Sequence, residues 1–67
     1  MREAARKSDL VDIQVEVIHT TDRAVLVDDG DRRVWLPLAQ VELGPIGPRR
    51  GATVTMPEWL AIEKELV

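Results

Sequence analysis

Cysteine, phenylalanine and tyrosine are absent from this chain of 67 residues, and its single serine and single histidine are Ser8 and His19. Without cysteine no disulfide can form, and one histidine does not supply the ligands of a zinc site. With no thiol and no phenol, few groups remain for nucleophilic or acid–base catalysis. We therefore predict a protein that is not an enzyme, has no catalytic residue and takes neither a cofactor nor a metal ion.

Long apolar runs are also absent. No stretch approaches the ~20 apolar residues that a membrane-spanning helix needs. The first residues, MREAARKSD, contain no apolar stretch of the kind that a signal peptide carries. The interpretation is a soluble, cytoplasmic protein with no membrane contact. A chain of this length buries only roughly 60% of its unfolded surface, so we expect marginal stability.

Apolar residues that alternate with polar ones predict the first strand. From Val11 to Val17 every second residue is apolar, the pattern of a half-buried strand. The polar segment 20–23 then predicts a turn into a second strand at 24–27. The following Asp29-Gly30 step predicts a hairpin, because a tight turn needs a positive φ that glycine adopts without strain.

Three further strands and one helix complete the prediction. The strands are placed at 32–36, 41–43 and 52–56, and the helix at 57–66, with Pro57 in its first turn. This pattern predicts a mainly β (α+β) fold: a small curved antiparallel sheet, or an open barrel resembling an SH3-like or OB-like domain, with about five strands and a C-terminal helix. We assign residues 10–67 to one domain and residues 1–9 to a flexible N-terminal segment.

The helix is predicted to lie on the core through the stripe Trp59, Ile62 and Leu66, which has helical spacing. The whole predicted core is apolar and comprises Ile13, Val15, Val17, Val25, Val27, Val34, Leu36, Val54, Trp59, Ile62 and Leu66.

Charge is distributed unevenly along the chain, whose net charge is -3. Residues 9–31 hold seven acidic residues against Arg23 alone, a net charge of -6. If folding gathers these carboxylates on one side, that side attracts basic protein surfaces. We therefore predict a protein-binding surface at Asp22, Asp28, Asp29 and Asp31; the alternative is a solvated surface that keeps the domain soluble. The spacing of these residues does not match an EF-hand loop, and a hairpin tip explains it instead of a metal site.

A second possible site is basic and aromatic. Arg33 and Trp35 share one face of the third strand, where an exposed tryptophan beside an arginine can stack on a base. Arg49 and Arg50, in the loop before the last strand, would add phosphate contacts. The alternative is that Trp35 lies under the helix as part of the core. The acidic total charge argues against a general nucleic-acid binder, so nucleic-acid binding is the alternative function that we predict.

Two segments, AVLVDDGDRRVWLPLAQVEL (24–43) and VTMPEWLAIEKELV (54–67), cover about half of the chain. They resemble a group of short uncharacterised proteins encoded in bacteriophage and prophage genomes, which share a DDG hairpin, a WLPxxQ step and a VTxPEWLA helix start. Leu38 and Ala39 stand where these proteins often have lysine and serine. The resemblance implies a gene from a phage replication or recombination neighbourhood.

These observations together predict a non-enzymatic protein-interaction module. With the phage resemblance, the implied role is an inhibitor or modulator of a host nucleic-acid-processing or defence protein, whose acidic surface imitates the phosphates of DNA. The alternative is a small nucleic-acid-binding domain of phage replication or recombination. A homodimer is a further prediction, since small sheets with unpaired strand edges pair with their own copies.

Overall fold

The computed structural model describes residues 9–67. These form five strands and a helix, which we label β1 (Leu10–Thr20), β2 (Ala24–Asp28), β3 (Arg33–Pro37), β4 (Glu42–Leu43), β5 (Gly51–Pro57) and α1 (Glu58–Glu63), with a 3-10 turn at Pro48–Arg50. The predicted mainly β fold is confirmed: all strand pairs are antiparallel and lie in one open, unclosed sheet. The predicted flexible segment 1–9 lies outside the described residues except for Asp9.

The strand order is β3-β2-β1-β5-β4, so β1 is the centre of the sheet. Residues 10–16 of β1 pair with β5, and residues 16–20 pair with β2. Between these two regions the register shifts at Val17 and His19, where Ile18 is the extra residue of a β-bulge. A bulge bends a strand and increases its twist. One long bent strand therefore joins the two halves of the sheet.

One face of this sheet is buried. The alternation of β1 and β5 points every second side chain to the same side, and the helix covers part of that side. All buried side chains in the described range are apolar, and they are Val15, Val17, Val25, Val27, Leu36, Ala52, Val54, Met56, Leu60 and Ala61. Ile13, Val34 and Leu66 are partly buried against this core. Burial of apolar surface is therefore the main stabilising contribution.

Two strands, β3 and β5, end at a proline, one residue later than the sequence predicted. Leu38 N–H donates to the Arg23 carbonyl, which makes the next pair, Ala24–Pro37, a non-hydrogen-bonded pair of the antiparallel ladder. The Pro37 nitrogen therefore points to the open edge of the sheet, where no donor is needed. Pro57 follows a similar pattern: Glu58 N–H donates to the Asp9 carbonyl, so the Leu10–Pro57 pair is non-hydrogen-bonded and the Pro57 nitrogen points away from β1.

The helix is shorter than the sequence predicted and ends at Glu63, not at Leu66. Glu65 adopts φ 61°. Two backbone hydrogen bonds end the helix: Glu65 N–H donates to the Ile62 carbonyl, and Leu66 N–H donates to the Ala61 carbonyl. This is the Schellman arrangement, here formed without the usual glycine. It turns the chain so that Leu66 packs back on the core.

The predicted orientation of the helix is wrong. Leu60 and Ala61 are the buried residues of α1, whereas Trp59 is 51% exposed and Ile62 is 57% exposed. The helix begins directly after β5, so the register of that strand fixes its rotation. With about 100° between successive residues, a stripe through Leu60 and Ala61 leaves Trp59 and Ile62 on the opposite side.

Stability should therefore depend on Leu60 and not on Trp59. We expect Leu60→Ala to lower the free energy of unfolding by about 2–5 kcal/mol, because it removes a buried side chain and leaves a cavity. Trp59→Ala should lower it by about 1 kcal/mol or less, since half of the ring is already in water. Urea unfolding followed by circular dichroism measures both, and an equal loss in the two variants would contradict the orientation of α1.

Candidate functional site

Two carboxylates of the β2–β3 hairpin, those of Asp28 and Asp29, accept backbone hydrogen bonds within the turn. Asp28 Oδ1 accepts a hydrogen bond from the Gly30 N–H at 2.8 Å. Asp29 Oδ1 accepts from the N–H groups of Asp31 and Arg32, at 2.9 and 3.0 Å. These backbone donors, Asp31 first and Arg32 next, hold the pKa of Asp29 below its ordinary value of 3.8. Gly30 has φ 105°, which confirms the predicted tight hairpin turn.

Guanidinium groups lie among these carboxylates. Arg33 Nε lies 3.3 Å from Asp28 Oδ2, and Arg32 forms an ion pair with Glu65, which ties the hairpin to the residues after α1. Asp22 lies in the other turn, before β2, about 16 Å away along a five-residue strand. The four aspartates of the predicted protein-binding surface therefore do not form one acidic surface: three share a hairpin with two arginines, and Asp22 is at the opposite end of β2.

The Trp35 side chain is exposed to solvent on the outward face of the sheet. It is 46% exposed and not under the helix, and it follows Arg33 on the same face of β3. The His19 ring meets Trp35 edge-on, with ring centroids 6.2 Å apart and an interplanar angle of 88°. The bulge at Ile18 brings His19 to this face, because it shifts the alternation of β1 by one residue. Strict alternation along the sequence would place His19 with the inward residues, so the sequence analysis missed this neighbour.

Arg49 and Arg50 lie at the other side of β1. Both adopt positive φ, 59° and 61°, in the turn before β5. Arg50 Nε donates to the Val17 carbonyl at 2.8 Å, at the position where the β1–β5 ladder would have its next hydrogen bond. Three strand spacings of about 4.8 Å separate this turn from Arg33 on β3. The structure thus brings together two of the four predicted nucleic-acid-binding residues and places the other two apart from them.

The outward face of α1 was missed by the sequence analysis, which assigned its apolar residues to the core. Trp59 and Ile62 are three residues apart and therefore adjacent on the helix surface, and Glu58 and Glu63 flank them. We call the group Glu58, Trp59, Ile62 and Glu63 the helix patch. The sequence signal that could have found it is the second apolar stripe, Leu60 and Ala61, on the same short helix.

Other kinds of site are not seen in residues 9–67. This part of the chain forms no pocket, and no three of its histidine, aspartate and glutamate side chains are grouped to hold a metal ion. Over the same residues, no helix is long and apolar enough to cross a membrane. Comparison with protein-family models, with curated proteins and with solved structures found no significant match.

Proposed function

We propose that this chain is a non-enzymatic protein-binding module that contacts its partner through the helix patch. The observation that carries the proposal is the half-exposed ring of Trp59 beside the exposed side chain of Ile62 on one face of a docked helix. Large apolar side chains placed together in water favour burial against another surface. Tryptophan is also among the residue types enriched at the positions that dominate binding energy at protein interfaces.

The charges of the helix patch define the chemistry of the partner. Glu58 and Glu63 lie on either side of the two apolar residues, and neither forms an ion pair with another residue of the described range. The complementary surface is an apolar cleft with lysine or arginine at its rim. Basic surfaces of this kind are typical of proteins that handle nucleic acids. Together with the resemblance to short phage proteins, this makes a host nucleic-acid-processing or defence protein the target class of the proposal.

A random 12-residue peptide library is the probe that tests the proposal without a known partner. Selection on the immobilised full chain should enrich peptides that combine aliphatic residues with lysine or arginine. Binding of the selected peptides should fall at least tenfold in Trp59→Ala and weaken as sodium chloride is raised from 50 to 500 mM, because salt screens the glutamates. Fluorescence anisotropy with labelled peptides measures both effects.

The matched control is Trp35→Ala, which removes the other exposed tryptophan and should leave peptide binding unchanged. The proposal is contradicted if no peptide is enriched above a control selection, or if the enriched peptides bind Trp59→Ala as tightly as the parent chain.

A second candidate function is the binding of single-stranded nucleic acid, which the exposure of Trp35 beside Arg33 favours. Against it, the guanidinium of Arg33 lies beside Asp28, and Arg50 is engaged with the backbone of β1. If this function holds, a gel shift with a 20-nucleotide single strand at 100 mM salt should show a complex that is lost in Trp35→Ala and kept in Trp59→Ala. No shift at micromolar protein would remove this candidate.

A further inference from the structure

The hydrogen-bond pattern of the β2–β3 ladder shows which backbone groups of β3 face the open edge of the sheet. Asp29 N–H donates to Arg32 at one end of the ladder, and Leu38 N–H donates to Arg23 at the other. Hydrogen-bonded and non-hydrogen-bonded pairs alternate in an antiparallel ladder. The pairs Val27–Val34 and Val25–Leu36 are therefore the bonded ones, so that Val34 and Leu36 turn their peptide groups towards β2.

Arg33 and Trp35 consequently turn their peptide groups away from β2, towards the open edge. Each presents one N–H and one carbonyl there, and no hydrogen bond to another described backbone group outside the sheet uses them. The edge ends at Pro37, which has no N–H and whose carbonyl already accepts from Gln40 N–H at 3.0 Å. The open edge of β3 therefore presents two N–H donors and two carbonyl acceptors, those of Arg33 and Trp35.

We propose that this edge pairs with the same edge of a second copy of the chain, antiparallel, about a two-fold axis at Val34. In this register Arg33 lies opposite the partner's Trp35, and the two residues exchange both of their hydrogen bonds. The two-fold axis repeats the exchange, so all the donors and acceptors that the two edges present are used in four hydrogen bonds. A two-fold axis at Trp35 would instead require the carbonyl of Pro37 and leave the carbonyl of Arg33 without a donor.

The side chains fit the same register. On the outward face, Arg33 comes opposite the partner's Trp35. The Arg33 side chain is 60% exposed although its Nε lies beside Asp28 Oδ2, so a face of the guanidinium is open to a cation–π contact with the indole ring. On the inward face, the half-buried Val34 meets the partner's Val34, and apolar surface is covered. No like charges come directly opposite each other. The edge is therefore complementary to itself in hydrogen bonds and in the side chains that it pairs.

These features favour a second copy of the chain over an unrelated extended peptide, because its edge supplies a tryptophan opposite Arg33 and an arginine opposite Trp35 in the same register. The other edge of the sheet, β4, has two residues and offers no comparable ladder. Since only three residues of each copy pair, the interface is small and the dimer is weak, with a dissociation constant in the micromolar range or above. This inference is independent of the proposed function, which uses the helix patch.

Sedimentation velocity of the full chain from about 10 μM to 1 mM, combined with amide chemical shifts over the same range, tests the proposal. We expect a monomer–dimer equilibrium in which the amide protons of Arg33 and Trp35 shift with concentration and those of Val34 and Leu36 do not. In a mixture of isotope-labelled and unlabelled chains, an intermolecular contact should link the methyl groups of Val34 in the two copies.

Arg33→Pro removes the donor at the edge without touching the ladder to β2, and Arg33→Ala is its matched control because it removes the same side chain and keeps the N–H. We expect Arg33→Pro to raise the dissociation constant at least about tenfold above that of Arg33→Ala, with both variants folded by circular dichroism. Trp59→Ala should dimerise as the parent does. A chain that stays monomeric at 1 mM, equal association of the two Arg33 variants, or a dimer that is lost in Trp59→Ala would each overturn the proposal.

Discussion

The whole structure depends on β1, the one strand that pairs with both halves of the sheet. Its first residues bond to β5 and its last residues bond to β2, so neither half has a continuous core without it. Its inward residues Val15 and Val17 lie where the two halves meet, and both are buried. The bulge at Ile18 lets the strand bend at this point. The chain has 67 residues and no cysteine, so no disulfide can join the two halves, and the packing of this shared apolar row holds them together.

The second constraint is the direct connection from β5 to α1. Because no loop separates them, the strand register decides which residues of the helix face the core, and it selects Leu60 and Ala61. The larger apolar side chains Trp59 and Ile62 then remain in water. A stability-driven sequence would place polar residues there. The exposure of these two apolar side chains on one face of α1 is the basis of the proposed binding surface.

The sequence predicted the elements whose evidence is local. Period-two alternation located β1 and β5, and the Asp29-Gly30 step located the hairpin, because turn geometry and strand faces are decided by neighbouring residues. The rotation of α1 could not be predicted, since two apolar stripes compete on a six-residue helix and tertiary contacts choose between them. The sequence also placed the acidic residues on one surface, whereas β2 separates Asp22 from Asp28 and the hairpin brings Arg33 beside Asp28. Such placement depends on how the chain folds and not on neighbouring residues.

The proposed binding surface depends on the outward orientation of Trp59, and acrylamide quenching of its fluorescence tests that orientation most directly. In Trp35→Phe the emission comes from Trp59 alone, and the substitution is made at an exposed side chain of the edge strand. The predicted result is red-shifted emission in the folded chain and a quenching constant of roughly half or more of that in urea, since about half of the ring is accessible. Blue-shifted emission that acrylamide quenches only after unfolding would show a buried ring and contradict the account.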